Sequence, residues 1–402
     1  MKRKIDTRPM FAALDGQTPN EVFGKIPTPC YIIEEKKLKE NGRILEAVSK
    51  RSGCKILLAQ KAFSNYDCYS LLAPFLAGTE ASGLYEARLG AEEMPGKEVH
   101  VFCGAYREEE FQELLRYADH IVFNSPRQLE KFGPLAKQAG KSIGLRINPQ
   151  CSTQEGHAIY DPCAPGSRLG TTRAMWDALM TEELVALLEG LHFHTLCEQD
   201  AEDLETTLQA VEEKFGDVLP AMKWLNMGGG HHITRPGYDV ERLEKCIRYA
   251  QEKWQLEVYL EPGEAVALNA GYLATRVLDV VQNEDTRIAI LDASAACHMP
   301  DVIEMPYTPP LYGAEANGTT SYTYRLAGPT CLAGDVIGDY SFKGALQEGD
   351  LLLFGDMAIY TTCKNNTFNG MPLPNIWKRT VDGDLVRLTD FGYNEFKSRL
   401  GR

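Results

Sequence analysis

The sequence predicts an α/β protein in two parts, a TIM-like (β/α)8 barrel followed by an all-β C-terminal domain. Three observations carry that reading. Short apolar runs, each closed by a polar loop and followed by an amphipathic helical stretch, recur eight times within about 250 residues, the span of one such barrel. The rhythm stops near residue 272. Beyond it, short alternating or apolar runs are separated by turn residues with little helical pattern, as expected of an all-β domain. A doubly wound open sheet is the competing architecture, but it seldom repeats the unit eight times without a break.

In chain order, residues 1–25 carry Pro9, Pro19 and Gly24 with little periodicity, and read as an extension that forms a loop or adds a strand to a later sheet. The barrel is assigned to residues 26–272, beginning at Ile26-Pro-Thr-Pro. Its first strand is the apolar run 56–59, too short for a helix and preceded by Ser52-Gly53, with Lys61 just past its end. Strands at 78–82, 100–104, 120–125 and 142–148 follow, placing Glu80, Asn124 and Arg146 at or near strand ends. Helical stretches run through Leu71 and Leu72 and over 108–117. A loop at 150–170, rich in Pro, Gly and Cys, leads to a helical 181–188 and then to strands at 188–195, 224–230 and 257–263. The β domain is assigned to 273–402, with strands at 274–281, 287–292, 320–326, 350–354, 377–381 and 385–388.

Composition narrows the function. The chain has 44% hydrophobic and 24% charged residues, an ordinary globular balance, and a net charge of −14. That charge argues against nucleic acid or an anionic membrane surface as the main partner. An acidic surface also suits a polycationic substrate, although a soluble acidic enzyme is the plainer explanation. The opening Met1-Lys-Arg-Lys-Ile-Asp has charges without an apolar stretch after them, and no run of 18 apolar residues occurs, so neither export signal nor membrane span is expected. Eleven cysteines, with no C-x-x-C pair and no zinc-like spacing, read as reduced thiols in a cytoplasm.

In a barrel all strand C-termini face one mouth, where active sites lie. Lys61, Glu80, Asn124, Arg146, His194, Gly228, Gly229, Gly230 and Glu261 fall at or just after such ends. A partly desolvated lysine has a lowered pKa, and its neutral amine can form a Schiff base with an aldehyde; the plain alternative is a surface lysine at a strand end. Three glycines after a strand can offer successive backbone N–H groups to a phosphate, or make a tight turn. A carboxylate at Glu261 could keep a pyridinium nitrogen protonated, or merely cap the next segment. His192 and His194 lie two apart and face one side of their strand, with His194 nearer the mouth. No third ligand with suitable spacing accompanies them, so packing against a planar ligand is preferred to a metal.

Together these residues carry a resemblance. Ala59-Gln-Lys61-Ala, Glu80, Leu145-Arg146-Ile, His194, the three glycines, Glu261-Pro-Gly263, Gly328-Pro-Thr-Cys331, Tyr360 and Phe368-Asn-Gly370 stand in the order seen in the fold-type III, alanine-racemase-like, pyridoxal-phosphate decarboxylases. The resemblance runs from about residue 26 to 395. His194-Thr-Leu-Cys-Glu198, Glu261-Pro-Gly-Glu264 and Cys331-Leu-Ala-Gly-Asp335 look most like the carboxynorspermidine branch of that family. It implies pyridoxal 5'-phosphate held by Lys61, with His194 against the ring and Glu261 at the pyridinium nitrogen. Gly228, Gly229, Gly230 and Tyr360 would hold the phosphate, with Glu80 and Arg146 supporting the site. It also implies a head-to-tail homodimer in which the partner supplies a cysteine that reprotonates Cα, here Cys331. Asp335, with Asp301 or Glu304, would then face the substrate's amines.

The departures bear on substrate. In the ornithine enzymes Asp directly follows the Gly-Pro-Thr-Cys motif, whereas here Leu332 does, and Asp335 comes four after Cys331. Those enzymes and the diaminopimelate enzymes resemble one another in an arginine after Glu-Pro-Gly, where this chain has Glu264. Replacing a cation by a carboxylate suits a substrate with several ammonium groups and no distal carboxylate. The expected substrate is therefore a carboxylated polyamine, carboxynorspermidine or carboxyspermidine. Ornithine, arginine or diaminopimelate decarboxylation, amino-acid racemisation and a non-catalytic regulatory role are the alternatives.

Overall fold

A computed structural model describes residues 8–154 and 158–401. Residues 1–7, residues 155–157 of the expected 150–170 loop, and residue 402 lie outside the described residues. The chain divides into two compact units, one of Lys39–Val266 and one formed by the segment up to Leu38 with the chain from Ala267 onward.

The first unit is a closed barrel of β2 (Lys55–Ala59), β3 (Gly78–Ala81), β4 (Glu98–Phe102), β5 (His120–Phe123), β6 (Ser142–Arg146), β7 (Gly190–His192), β8 (Trp224–Asn226) and β9 (Glu257–Leu260). Each strand pairs in parallel with the next, and β2 pairs with β9 to close the ring. All eight expected strands are present, but β7 and β8 are only three residues each, because the chain beyond them leaves the ladder to build the mouth. Helices between strands bury one stripe: Leu204, Leu208, Val211 and Phe215 of Ala201–Phe215 are buried at helical spacing. Their starts are written locally. Ser125 accepts from the Gln128 N–H before Pro126, and Asp239 accepts from the Arg242 N–H.

The barrel interior needs two glycines. A Cβ on Gly144 or Gly190 would run into the Trp224 indole, whose Nε1–H donates to Ser142 Oγ at 2.9 Å. Beside it, Lys55 Nζ meets Glu98 at 2.6 Å and Glu257 at 3.0 Å, and His100 Nε2 meets Glu98 at 2.9 Å. These are residues at or near the starts of strands, so this polar layer closes the barrel at the end opposite the mouth.

The second unit holds a nine-stranded mixed sheet. Its strands are β1 (Cys30–Glu34), β10 (Gly271–Asn283), β11 (Thr286–Leu291), β12 (Glu315–Ala316), β13 (Tyr322–Ala327), β14 (Val336–Phe342), β15 (Leu351–Gly355), β16 (Asn375–Arg379) and β17 (Leu385–Arg387). The order is β12-β14-β13-β11-β10-β1-β16-β17, with β15 also on β10. The expected barrel range of 26–272 is therefore too wide at its start: β1 pairs antiparallel to β10 and parallel to β16. Leu14, Phe23 and Ile26 pack in one core with Cys30, Ile32, Tyr272, Ala274 and Leu353. A five-residue strand buried on both faces looks the same from sequence whichever sheet takes it.

Candidate active site

The barrel mouth is organised by Glu261, the residue after β9. Asn226, ending β8, donates from Nδ2 to Glu261 Oε1 at 2.6 Å, and His192, ending β7, lies with Nε2 3.0 Å from Oε2. The Asn226 Oδ1 accepts from the Gly228 N–H at 2.9 Å, so the same amide fixes the carboxylate and starts the glycine turn. The turn is tight. A Cβ on Gly228, Gly229 or Gly230 would collide with the carbonyl oxygens of Phe193, Glu261 or Leu196, and Gly228 and Gly230 take φ of +68° and +80°. The Gly229 N–H donates to His194 Nδ1 at 2.7 Å, which leaves the neutral imidazole's proton on Nε2.

Arg146, ending β6, donates from Nη2 to the His194 carbonyl at 3.0 Å and lies 4.5 Å over the Phe102 ring. Phe102 in turn stacks on His192 at 5.5 Å. Lys61 sits half-buried two residues past β2. It is near enough for its charge to act on Glu80, Glu261, His192 and His194.

Burial sets the protonation states. Burial and then the Glu261 charge push the Glu80 carboxyl above its usual range, and its Oε2 has no hydrogen-bond partner. Burial acts on Glu261 in the same sense, but the contact with His192 outweighs it and keeps this carboxylate ionised. Desolvation, then the charges of Lys61 and Arg146, hold His194 well below its ordinary range and therefore neutral. Burial lowers Arg146 to about 10, which leaves it charged at neutral pH.

This arrangement fits pyridoxal phosphate. A glycine turn that admits no Cβ lets a phosphate come close to the backbone. An ionised, buried carboxylate still has lone pairs for a pyridinium N–H. The orphaned Glu80 oxygen and the lysine amine lie in the same cluster.

Asn226 and Phe102 were not singled out from sequence; Asn226 could have been, as the polar residue ending the apolar run just before the glycines. Asn124 does another job: it donates to the Arg168 carbonyl at 2.9 Å and accepts from the Gly170 N–H at 2.7 Å, pinning the end of the 150–170 loop. Glu264 already has a neighbour in His232, whose Nε2 lies 2.9 Å from its carboxylate, and with Glu198 the three place ligand atoms within 4.8 Å of one another.

The remaining expected residues lie in the β unit. Cys331 is exposed, with its N–H donating to Asn369 Oδ1 at 2.7 Å. Tyr360 is half-buried with φ of +49°. Asp301 and Glu304 are both paired with Lys364, Glu304 at 2.5 Å. Asp335 corrects the sequence reading. It is 3% exposed and its carboxylate is taken up by Ser294, Ala296 and Thr330, so it does not face out toward a substrate amine.

The chain is similar to known proteins along most of its length. A family model described as the C-terminal sheet domain of pyridoxal-dependent decarboxylases matches residues 30–358. A carboxynorspermidine/carboxyspermidine decarboxylase of Campylobacter jejuni is 42% identical over 94% of this chain and 99% of the relative. A carboxyaminopropylagmatine decarboxylase of Synechocystis is 40% identical over 95% of this chain and 97% of its own. The crystal structure of carboxynorspermidine decarboxylase from Campylobacter jejuni, complexed with norspermidine, superposes with a TM-score of 0.85 at 40% identity, covering 93% of this chain and 100% of that one. The chain belongs to the pyridoxal-dependent decarboxylase family.

Proposed function

We propose that this enzyme decarboxylates carboxynorspermidine and carboxyspermidine, giving norspermidine and spermidine in polyamine biosynthesis. The observation that carries the reading is the near full-length, 42% identity to a decarboxylase named for those two substrates. The mouth chemistry supports it. Pyridoxal 5'-phosphate, when bound, supplies an electron sink for the pair left behind as the carboxylate departs. Lys61 would hold the cofactor's aldehyde carbon, and Glu261, braced by Asn226 and His192, would keep the pyridine nitrogen protonated. His194, neutral and locked by the Gly229 N–H, would lie against the ring, with Glu80 and Arg146 fixing the surroundings. Gly228, Gly229, Gly230 and Tyr360 would carry the phosphate.

Cys331 would donate its Sγ proton to the substrate Cα after carbon dioxide leaves, from the second subunit of a homodimer. Asp301, Glu304 and Glu264 are the carboxylates left to receive substrate ammonium groups, in exchange for Lys364 and His232. The setting proposed is the cytoplasm, without a membrane or nucleic-acid partner. Among the described residues no helix is long and apolar enough to cross a membrane. A second reading, decarboxylation of carboxyaminopropylagmatine, is favoured by the 40% identity to an enzyme of that name.

The test is product analysis. Carboxynorspermidine should give equimolar carbon dioxide and norspermidine with no change in the configuration of the remaining substrate. Epimerised substrate without carbon dioxide would replace decarboxylation by racemisation.

A further inference from the structure

We propose that Asp335 is a positioning residue that fixes the loop carrying Cys331. The inference rests on the decarboxylase reading for what Cys331 does. The loop is closed at its neck by two backbone bonds, Gly328 N–H to the Asp335 carbonyl and Asp335 N–H to the Leu332 carbonyl, both 2.9 Å. A Cβ on Gly328 would collide with the Asp335 carboxylate, so the glycine makes the space that the carboxylate fills.

Inside the neck every contact comes from an uncharged donor. Oδ1 accepts from Ser294 Oγ at 3.0 Å and the Ala296 N–H at 3.2 Å, and Oδ2 from Ser294 Oγ at 2.9 Å and Thr330 Oγ1 at 2.6 Å. Thr330 is the residue before Cys331. Next in sequence, the Cys331 N–H is bound by Asn369 Oδ1, and Asn369 is itself held at φ of +57°. Asn366 closes the triangle by donating from Nδ2 to the Ala296 carbonyl at 2.8 Å. Three chain segments thus meet around one carboxylate, while Cys331 and Leu332 are left exposed on the outside.

The Ser294 hydroxyl shares its one proton between the two oxygens, and the carboxylate is only 3% exposed, so admitting an ammonium would displace Ser294 or Thr330. Its effect on the reaction runs through the place where it holds the thiol. Small misplacements of a reacting group are costly, on the order of 100-fold for 1 Å.

Asp335→Ala removes the anchor, and Asp335→Asn keeps its shape and one acceptor in case the alanine variant does not fold. Two quantities are read on the cofactor-loaded protein. The first is the rate at which iodoacetamide alkylates Cys331 without substrate, followed on its peptide by mass spectrometry. The second is the kcat and KM for carboxynorspermidine. Freeing the loop should raise alkylation at least about threefold. It should lower kcat about 10- to 100-fold with KM within about twofold of wild type. A tenfold rise in KM at preserved kcat would assign Asp335 to substrate and overturn the proposal, as would unchanged alkylation in both variants. If the wild type turns over no carboxylated triamine, the functional reading fails, while the alkylation rates still decide the claim about the loop.

Discussion

At the scale of the residue, the site depends on keeping two buried carboxyls in different states. Glu80 and Glu261 share one small volume with Lys61 and Arg146, and two charged carboxylates there would repel. Only Glu261 has hydrogen bonds to both oxygens, so it keeps the charge and Glu80 keeps the proton. Glu261→Gln removes that charge with little change of shape. It should lower kcat about 100- to 1,000-fold while leaving cofactor content within reach of wild type, checked by steady-state kinetics and cofactor absorbance. The residues of this set were legible because the chemistry demands their types at strand ends: a lysine, a carboxylate followed by Pro-Gly, a run of glycines. Asn226 and the enclosure of Asp335 were not. Sequence order shows that a carboxylate follows Cys331, but Ser294 is 41 residues away in the chain, and its approach exists only after folding.

Among the elements, the barrel's closed end shows how a cluster can resemble a site without the geometry of one. Glu98, His100 and His120 place ligand atoms within 4.8 Å of one another. Yet the two imidazoles stack at 3.9 Å with 12° between their planes, so their lone pairs lie in nearly parallel planes and cannot converge on one ion. What the stack does instead is keep His120 neutral: burial, then the neighbouring His100, lowers it to about 3. The folded chain therefore binds fewer protons there than the unfolded chain between the ordinary value of 6.5 and about 3, and stability falls as pH drops through that window. His120→Phe should remove this component, retaining on the order of 2 kcal/mol more stability at pH 4 relative to pH 7 than wild type, by urea unfolding at both values. At this scale the barrel strands were readable from apolar runs. β14 was missed because Gly338 and Asp339 interrupt its pattern, although Ile337, Tyr340 and Phe342 are buried.

On the scale of the whole molecule, the chain is not two consecutive domains. The segment up to Leu38 belongs with the chain beyond Ala267, and the barrel unit is inserted between them. The rhythm of eight units located the barrel, but no periodicity could show that β1 belongs elsewhere, since its partners β10 and β16 lie far along the sequence. The proposed homodimer makes a mixing prediction. Lys61→Ala and Cys331→Ala proteins, each inactive in forming the correct amine, should recover about a quarter of wild-type turnover when subunits exchange, because half of randomly paired dimers are mixed and each holds one intact site. Recovery of nothing, with exchange shown by mass-tagged subunits, would place both residues in one chain's site. The most direct measurement of the account is kcat/KM for carboxynorspermidine and carboxyspermidine beside carboxyaminopropylagmatine, ornithine, arginine and diaminopimelate. A carboxylated triamine should be preferred over ornithine, arginine and diaminopimelate by at least about 100-fold. Equal or better turnover of any of those three amino acids would contradict it, and a clear preference for carboxyaminopropylagmatine would move the assignment to that substrate.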